Sequence, residues 1–331
     1  MEKLKVAVLG TGNIANKSYL PYLVSRGDVE LFYYDLSLEK AQACAEKFGG
    51  TVCRTPEELA AAGTDTILVL THETQRLAAA RMLLPLKPKR LWFEKPLAAR
   101  HGQGAVCEED FFEALEVMSA LKQAGIETAM DFNYRFFDQT IRLRKIIADK
   151  GLGTLRQVSA FVNYNCWSHC IDLLKFFGGR AVKISALGGK ILYGYEQVPD
   201  IAGAFELENG AFGTILGTVG SSFFSELFIL NMNFENALVK YSDLDANLSI
   251  QFNESPYVET YSLAPFTNRS VQYNASFGKA LDAYFETIRS NQVPPVPGMA
   301  GLEELQFEAA LRRSAKEERP VDVKKEFALD L

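Results

Sequence analysis

Apolar and polar positions follow two different rhythms along this chain. In the first 130 residues, short and almost wholly apolar runs at 4–9, 29–34, 66–70, 90–93 and 127–132 read as buried strands. Patterns of helical period lie between them and predict helices over 14–26, 38–48, 56–62, 74–84 and 108–123. Pro56 suits an early helical position, whereas Pro21 falls inside the first helix and should bend or break it. Strand–helix alternation of this kind predicts an α/β unit, a doubly wound parallel sheet with helices on both faces. After about residue 125 the rhythm changes. One amphipathic helix over 139–149 is closed by Gly151 and Gly153, and β-rich stretches follow at 155–164, 182–192, 202–219, 226–234 and 248–252. Asn209-Gly210 between apolar runs is a hairpin signal. Two helices over 277–290 and 302–316 flank Pro294-Pro295-Val296-Pro297. The expectation is two domains, 1–125 and 126–331, the second an α+β unit with a large, mostly antiparallel open sheet.

A length of 331 residues is enough for two cores without disulfide or metal staples. Thirty-five basic against 41 acidic residues give a net charge of −6, which argues against a general nucleic-acid binder. Apolar runs such as 66–70 and 227–232 are far shorter than the roughly 18 residues that span a bilayer, so no membrane association is expected. Lys3 and Lys5 precede an apolar run, but Gly10-Thr11-Gly12-Asn13 cuts it too early for a signal peptide. The odd count of five cysteines fits reduced thiols and a cytoplasmic location.

The strongest chemical signal is Gly10-x-Gly12-x-x-Ala15, directly after the first strand and opening the first helix. Gly10 permits the tight turn, Gly12 lets the backbone approach a pyrophosphate, and Ala15 is small enough for helix–strand packing. The helix start at Asn13 and Ile14 offers backbone N–H groups and a positive dipole end to phosphates. This is the pattern of a dinucleotide-binding Rossmann domain. Asp35 ends the second strand, where a carboxylate accepts from adenosine ribose hydroxyls and repels a 2′-phosphate, favouring NAD over NADP. Glu94-Lys95-Pro96 ends a later strand, placing a hydrogen-bond donor at the ligand-binding edge of the sheet, with Pro96 a candidate cis bond.

With these motifs in order, VAVLGTGNIA, LWFEKPLA, NYRF at 133–136 and SHCIDLLKFFGG from Ser168, the chain resembles the glucose-fructose oxidoreductase / inositol dehydrogenase / rhizopine catabolism family of NAD(P)-dependent dehydrogenases. The resemblance implies that Lys95 hydrogen-bonds the reacting hydroxyl and that His169 takes its proton. It implies cofactor contacts at Thr71, His72, Glu94 and Lys95, and a substrate-facing Asp172. Tyr134 and Arg135 of the NYRF motif, with Tyr164, Asn165 and Trp167 beside His169, are the expected pocket wall. The chain departs from the family pattern in five places, one of them a shortened loop before Asn165. Asn165 stands where an aspartate is usual, His72 where a proline is, Arg76 where a histidine is common, and residues 100–109 read as an insertion.

The expected activity is hydride transfer between a nicotinamide and a sugar, cyclitol or related polyol. Asn165 and the shortened loop before it motivate an alternative, a dinucleotide-binding regulatory or sensor protein with degraded catalysis. Cys166-x-x-His169-Cys170 lacks a fourth ligand in sequence, so no metal is expected. Phe223, Phe224 and Phe228 read as core or interface, and the apolar strands over 211–219 and 226–234 suggest a homodimer or homotetramer.

Overall fold

The computed structural model describes residues 3–193, 197–220 and 225–330. Six short apolar strands, β1 (Leu4–Leu9), β2 (Val29–Tyr34), β3 (Thr51–Val52), β4 (Thr66–Val69), β5 (Arg90–Phe93) and β6 (Glu127–Met130), form one parallel sheet in the order β3-β2-β1-β4-β5-β6. Because chain direction from β1 reverses between β2 and β4, a crevice opens at their carboxyl ends. The helices of this unit are α1 (Leu20–Arg26), α2 (Leu38–Phe48), α3 (Pro56–Ala61), α4 (Arg76–Leu83) and α5 (Glu108–Gln123). The single helix predicted over 14–26 is divided: a π-helical turn, Ala15–Tyr19, precedes α1, and Pro21 sits in the first turn of α1. Pro56 occupies the first turn of α3, behind Thr55, whose side chain accepts from Glu58 N.

The sheet runs past residue 125, since β6 completes it. The second sheet holds β7 (Leu155–Asn163), β8 (Ala181–Tyr193), β9 (Val198–Leu207), β10 (Phe212–Thr218), β11 (Phe228–Phe234), β12 (Ala237–Ser242), β13 (Asn247–Phe252), β14 (Val258–Ser262) and β15 (Val321–Asp322). Its order is β14-β13-β12-β11-β7-β10-β9-β8-β15, and every pairing is antiparallel except β10 with β7. The Asn209-Gly210 turn joins β9 to β10, with Gly210 at φ +82°. Phe223 and Phe224 lie outside the described residues; Phe228 is fully buried against Tyr134 and Tyr241.

Five more α-helices among the described residues complete the frame: α6 (Asp138–Asp149), α7 (Trp167–Gly178), α8 (Arg269–Ser290), α9 (Met299–Glu317) and the short α10 (Val323–Glu326). One face of the second sheet is covered by α7 and α9, with Phe205 edge-on to Phe307 at 5.3 Å. Helix α8 begins at Arg269, well before the predicted 277, because its first two turns are polar and capped by Asn268. It packs back onto the first sheet, where Tyr284 lies 4.7 Å from Trp92 and Phe277 lies 5.4 Å from Tyr19, ring to ring. Each such ring, fully buried, contributes about 1.5–3 kcal/mol. The N-terminal unit therefore owes part of its core to residues more than 200 positions away in sequence.

Candidate functional site

The crevice at the end of the first sheet is a cavity of about 470 Å³ lined by Gly10, Gly12, Asp35, Thr71, His72 and neighbouring apolar side chains. Gly10 sits at φ +93°, and a Cβ there would meet Thr71 N at 2.8 Å, so only glycine lets the β1 and β4 ends close together. Gly12 has open space where a side chain would go, which leaves its backbone free for an incoming phosphate. Asn13 and Ile14 stand at the opening of the helical segment. Asp35 accepts from Thr11 N (2.8 Å), Thr11 Oγ1 (3.1 Å) and Ser37 N (2.9 Å), so its carboxylate is held rigidly at the rim. His72 is exposed at the same rim. Arg76 is buried and ties the β4 end to the next loop, donating to Thr71 O and Pro96 O. The arrangement fits a dinucleotide: a cradle without side chains, a helix start and a fixed carboxylate.

Beyond β5, the Lys95–Pro96 bond is cis. Glu94 is buried; its Oε2 accepts from Lys95 N at 2.7 Å and its Oε1 from Tyr19 OH at 3.0 Å. The same hydroxyl bonds Asp131 at the end of β6. One phenolic hydrogen cannot serve two carboxylates, so one carboxyl keeps its proton to complete the network. Burial pushes Asp131 well above the usual carboxylate range and raises Glu94. Sequence reasoning missed Tyr19 and Asp131.

Lys95, just after β5, and His169, at the start of α7, are brought near each other, close enough for the lysine charge to act on the imidazole. His169, in the first turn of α7, is 2% exposed. Its ring stacks on Tyr134 at 3.9 Å and 7°, and Phe132 meets it edge-on at 6.0 Å. Burial, and then the nearby Lys95 charge, hold His169 well below its ordinary value, so the ring is neutral at pH 7. Its Nδ1 has no hydrogen-bond partner among the described residues. Lys95 Nζ donates to Asn165 O at 3.3 Å and to Gln103 Oε1 at 3.2 Å. Gln103, from the segment 100–109 read above as an insertion, was not foreseen; Gly102-Gln103-Gly104 in the segment after the lysine was the available hint.

The remaining expected wall residues are mostly held by partners of their own. Arg135 forks onto Asp172 at 2.6 and 2.5 Å, and Lys175 approaches the same carboxylate at 3.6 Å. Asp172 is only 1% exposed, so the structure sets it in a buried ion pair and not on an open wall. Tyr134 OH donates to Cys166 Sγ at 3.1 Å, and Tyr164 OH to Pro199 O at 2.7 Å. Trp167 and Tyr164 fit over Gly217, where a Cβ would meet their rings at 2.5 and 2.7 Å, so they lock α7 to β10. Asn165 alone of this group makes side-chain bonds along the line to Lys95. Among the described residues no cluster of three or more His, Cys, Asp or Glu is arranged to hold a metal ion.

Residues 4–123 match the model of an oxidoreductase family with an NAD-binding Rossmann fold. Over 171 residues the chain is 29% identical to D-glucoside 3-dehydrogenase of Escherichia coli (strain K12), covering 49% of this chain and 44% of that enzyme. The match thus spans less than half the length of the curated relative. Among solved structures, levoglucosan dehydrogenase in complex with NADH and levoglucosan aligns over 97% of this chain and 100% of its own, with a TM-score of 0.80 at 15% identity. The super-repressor mutant of Gal80p from Saccharomyces cerevisiae aligns over 99% and 100%, with a TM-score of 0.81 at 14% identity. At these identities both likenesses are of fold alone.

Proposed function

We propose that the chain is a member of the glucose-fructose oxidoreductase / inositol dehydrogenase / rhizopine catabolism family and acts as an NAD(P)-dependent oxidoreductase on the CH–OH group of a sugar, cyclitol or related polyol, or on the matching ketone, a reading supported by the family match over residues 4–123 and by the sugar-dehydrogenase relatives. The observation that carries this reading is the glycine-floored cavity with its fixed Asp35 carboxylate at the end of the first sheet, and the buried His169 near the Lys95 charge supports the acid–base roles. A nicotinamide bound there would supply the hydride acceptor for oxidation and the donor for reduction. Lys95 donates an N–H to the substrate oxygen and stabilises negative charge as it develops. His169, neutral, accepts the hydroxyl proton; as imidazolium beside an ammonium it readily returns that proton in the reverse direction. Asp35 favours NAD over NADP, since its fixed carboxylate suits ribose hydroxyls and repels a phosphate.

Two measurements test the reading. Calorimetric titration should give NADH binding, and deuteride from labelled NADH should appear in at least one member of a sugar, cyclitol and ketose panel. Failure to bind either NADH or NADPH would sink the proposal. Binding without exchange would favour the second reading, a dinucleotide sensor. That alternative is supported by Asn165, an amide where the resemblance implies a carboxylate, and by the fold likeness to Gal80p.

A homodimer or homotetramer through the open face of the second sheet belongs to the same proposal. Leu187, Ala202, Leu216, Phe161 and Ile229 are successive cross-strand partners, an apolar row crossing five strands on the face that α7 and α9 leave uncovered. Leu187 is 73% exposed, the kind of surface that marks an interface. Light scattering giving a 36.8 kDa monomer at micromolar concentration would refute it. All five cysteines are free, which suits a reducing cytoplasm, and no described helix is long and apolar enough to cross a membrane.

A further inference from the structure

The segment between Pro96 and α5 forms two successive tight turns: Gly102 N donates to Ala99 O at 3.1 Å and Ala105 N to Gly102 O at 3.0 Å. Gly102 takes φ +94°, a value that favours glycine. The frame is pinned at three points. Arg100 donates through N and Nε to Asp110 Oδ1, both at 3.0 Å, and Cys107 N donates to Asp110 Oδ2 at 2.9 Å. From α9, Arg312 Nη2 donates to Gly104 O at 2.8 Å. Gln103 is therefore presented by a fixed turn and not by a loose loop.

Its bonds form a directed chain. Lys95 Nζ donates to Gln103 Oε1, Gln103 Nε2 donates to Asn165 Oδ1 at 3.2 Å, and Asn165 Nδ2 donates to Asn163 Oδ1 at 2.8 Å. A lysine ammonium can only donate. Gln103 must then turn its oxygen to Lys95 and its amide nitrogen to Asn165, and Asn165 must turn its own nitrogen to Asn163. The lysine charge orients every amide along the chain. An ammonium has three N–H groups. Gln103 and the Asn165 carbonyl take two of them, which leaves one for a substrate oxygen.

We propose that Gln103 is a positioning residue that aims the Lys95 ammonium. With the Asn165 carbonyl, its carboxamide supplies the neutral acceptors that hold the lysine, and among the described residues no carboxylate is hydrogen-bonded to the amine. The inference rests on the reading of Lys95 as the partner of the substrate oxygen. It assigns a purpose to the inserted segment, which delivers Gln103 from outside the strand end.

Trace labelling of the full-length protein with acetic anhydride between pH 7 and 11, read by mass spectrometry of the Lys95 peptide, tests it without requiring turnover. Exposed Lys145 serves as the internal reference. Gln103→Glu places a carboxylate on the ammonium and should slow Lys95 acetylation at a given pH roughly fivefold or more, moving its titration upward. Gln103→Ala frees the amine and should speed labelling about threefold, with Gln103→Asn in between. Lys145 labelling and NADH affinity should stay as in the parent protein. If Gln103→Ala does not fold, Gln103→Glu and Gln103→Asn still decide the matter. An unchanged Lys95 titration in the folded variants overturns the proposal. So does a rise in kcat/KM in Gln103→Ala, which would mean that the amide blocks the place of the substrate. A shifted titration in a protein that exchanges no hydride keeps the role of Gln103 in holding Lys95 and overturns the oxidoreductase reading instead.

Discussion

The molecule has two polar walls that are built in opposite ways. The first wall, around the glycine turn, consists of strand ends drawn from the first 72 residues and held by backbone turns and short bonds: Gly10 by its turn against Thr71, Asp35 by Thr11 and Ser37. The second wall is buried and assembled from residues far apart in sequence. His169 leans on Tyr134, Asp172 on Arg135, and Lys95 on Gln103 and Asn165, with buried Glu304 and Glu308 on α9 beneath them. The first wall is an exposed surface with backbone at its floor. The second is a buried polar core whose charges depend on each other. Substitutions in the first should therefore change affinity and little else, whereas in the second they should change stability or turnover.

The sharpest way to break this contrast is Asp172→Ala. It leaves the Arg135 guanidinium buried without its forked partner and should lower stability by about 3–5 kcal/mol, read from denaturant midpoints. A loss under about 1 kcal/mol would show that the far wall is not held by buried charge. Next is Lys95→Ala, expected to lower kcat about 10²–10³-fold, or roughly 3–4 kcal/mol, while NADH binding persists. Equal losses in kcat and NADH affinity would place Lys95 on the cofactor side of the comparison.

Asp35→Ala probes the opposite wall. NADH affinity should fall about tenfold and any preference over NADPH should vanish, with the melting temperature nearly unchanged. Calorimetry with both cofactors reads this, and a large loss of stability would contradict the picture of a locally held wall.

The smallest effect expected concerns pH. Burial pushes Glu308 up to about 7 against the pull of Arg312, and burial with Glu308 beside it raises Glu304 well above its usual range. A folded carboxyl that keeps its proton above the unfolded value of about 4.3 favours folding at low pH, and that contribution is lost as pH rises through about 7. His169 acts in the opposite direction. Its folded ring stays neutral, so the unfolded chain gains a proton below about pH 6.5 and stability falls on acidification. Glu308→Gln should therefore flatten the fall in melting temperature between pH 5 and 8 by roughly 2 °C. Parallel profiles for the variant and the parent would remove Glu308 as a source of that slope.

Much of the first sheet was legible because a strand buried on both faces is a local apolar run, and five runs marked β1, β2, β4, β5 and β6 closely. The two-residue β3 is too short to carry a pattern. Edge strand β14 has no buried residue and so no alternation to read. The start of α8 was hidden by its polar first turns, and its attachment to the first sheet has no sequence signature. The resemblance named Lys95, Asn165 and His169, and the structure brings the three near one another. Gln103 was not named, since only the fold of the inserted segment brings it to Lys95. Asp172 was legible as a charge near the site but not as the partner of Arg135.

What the sequence determined by itself is whatever one turn or one strand end can decide: the glycine turn after β1, the carboxylate closing β2 and the lysine closing β5. Those features depend on backbone geometry within a few residues, so the local pattern specifies them. Tertiary structure alone decided that His169 is neutral, that Asp172 is spent on an ion pair, and that Lys95 has two of its three donors taken. Each of these is set by desolvation and by charges brought close from distant parts of the chain, and no local pattern records which of them will meet.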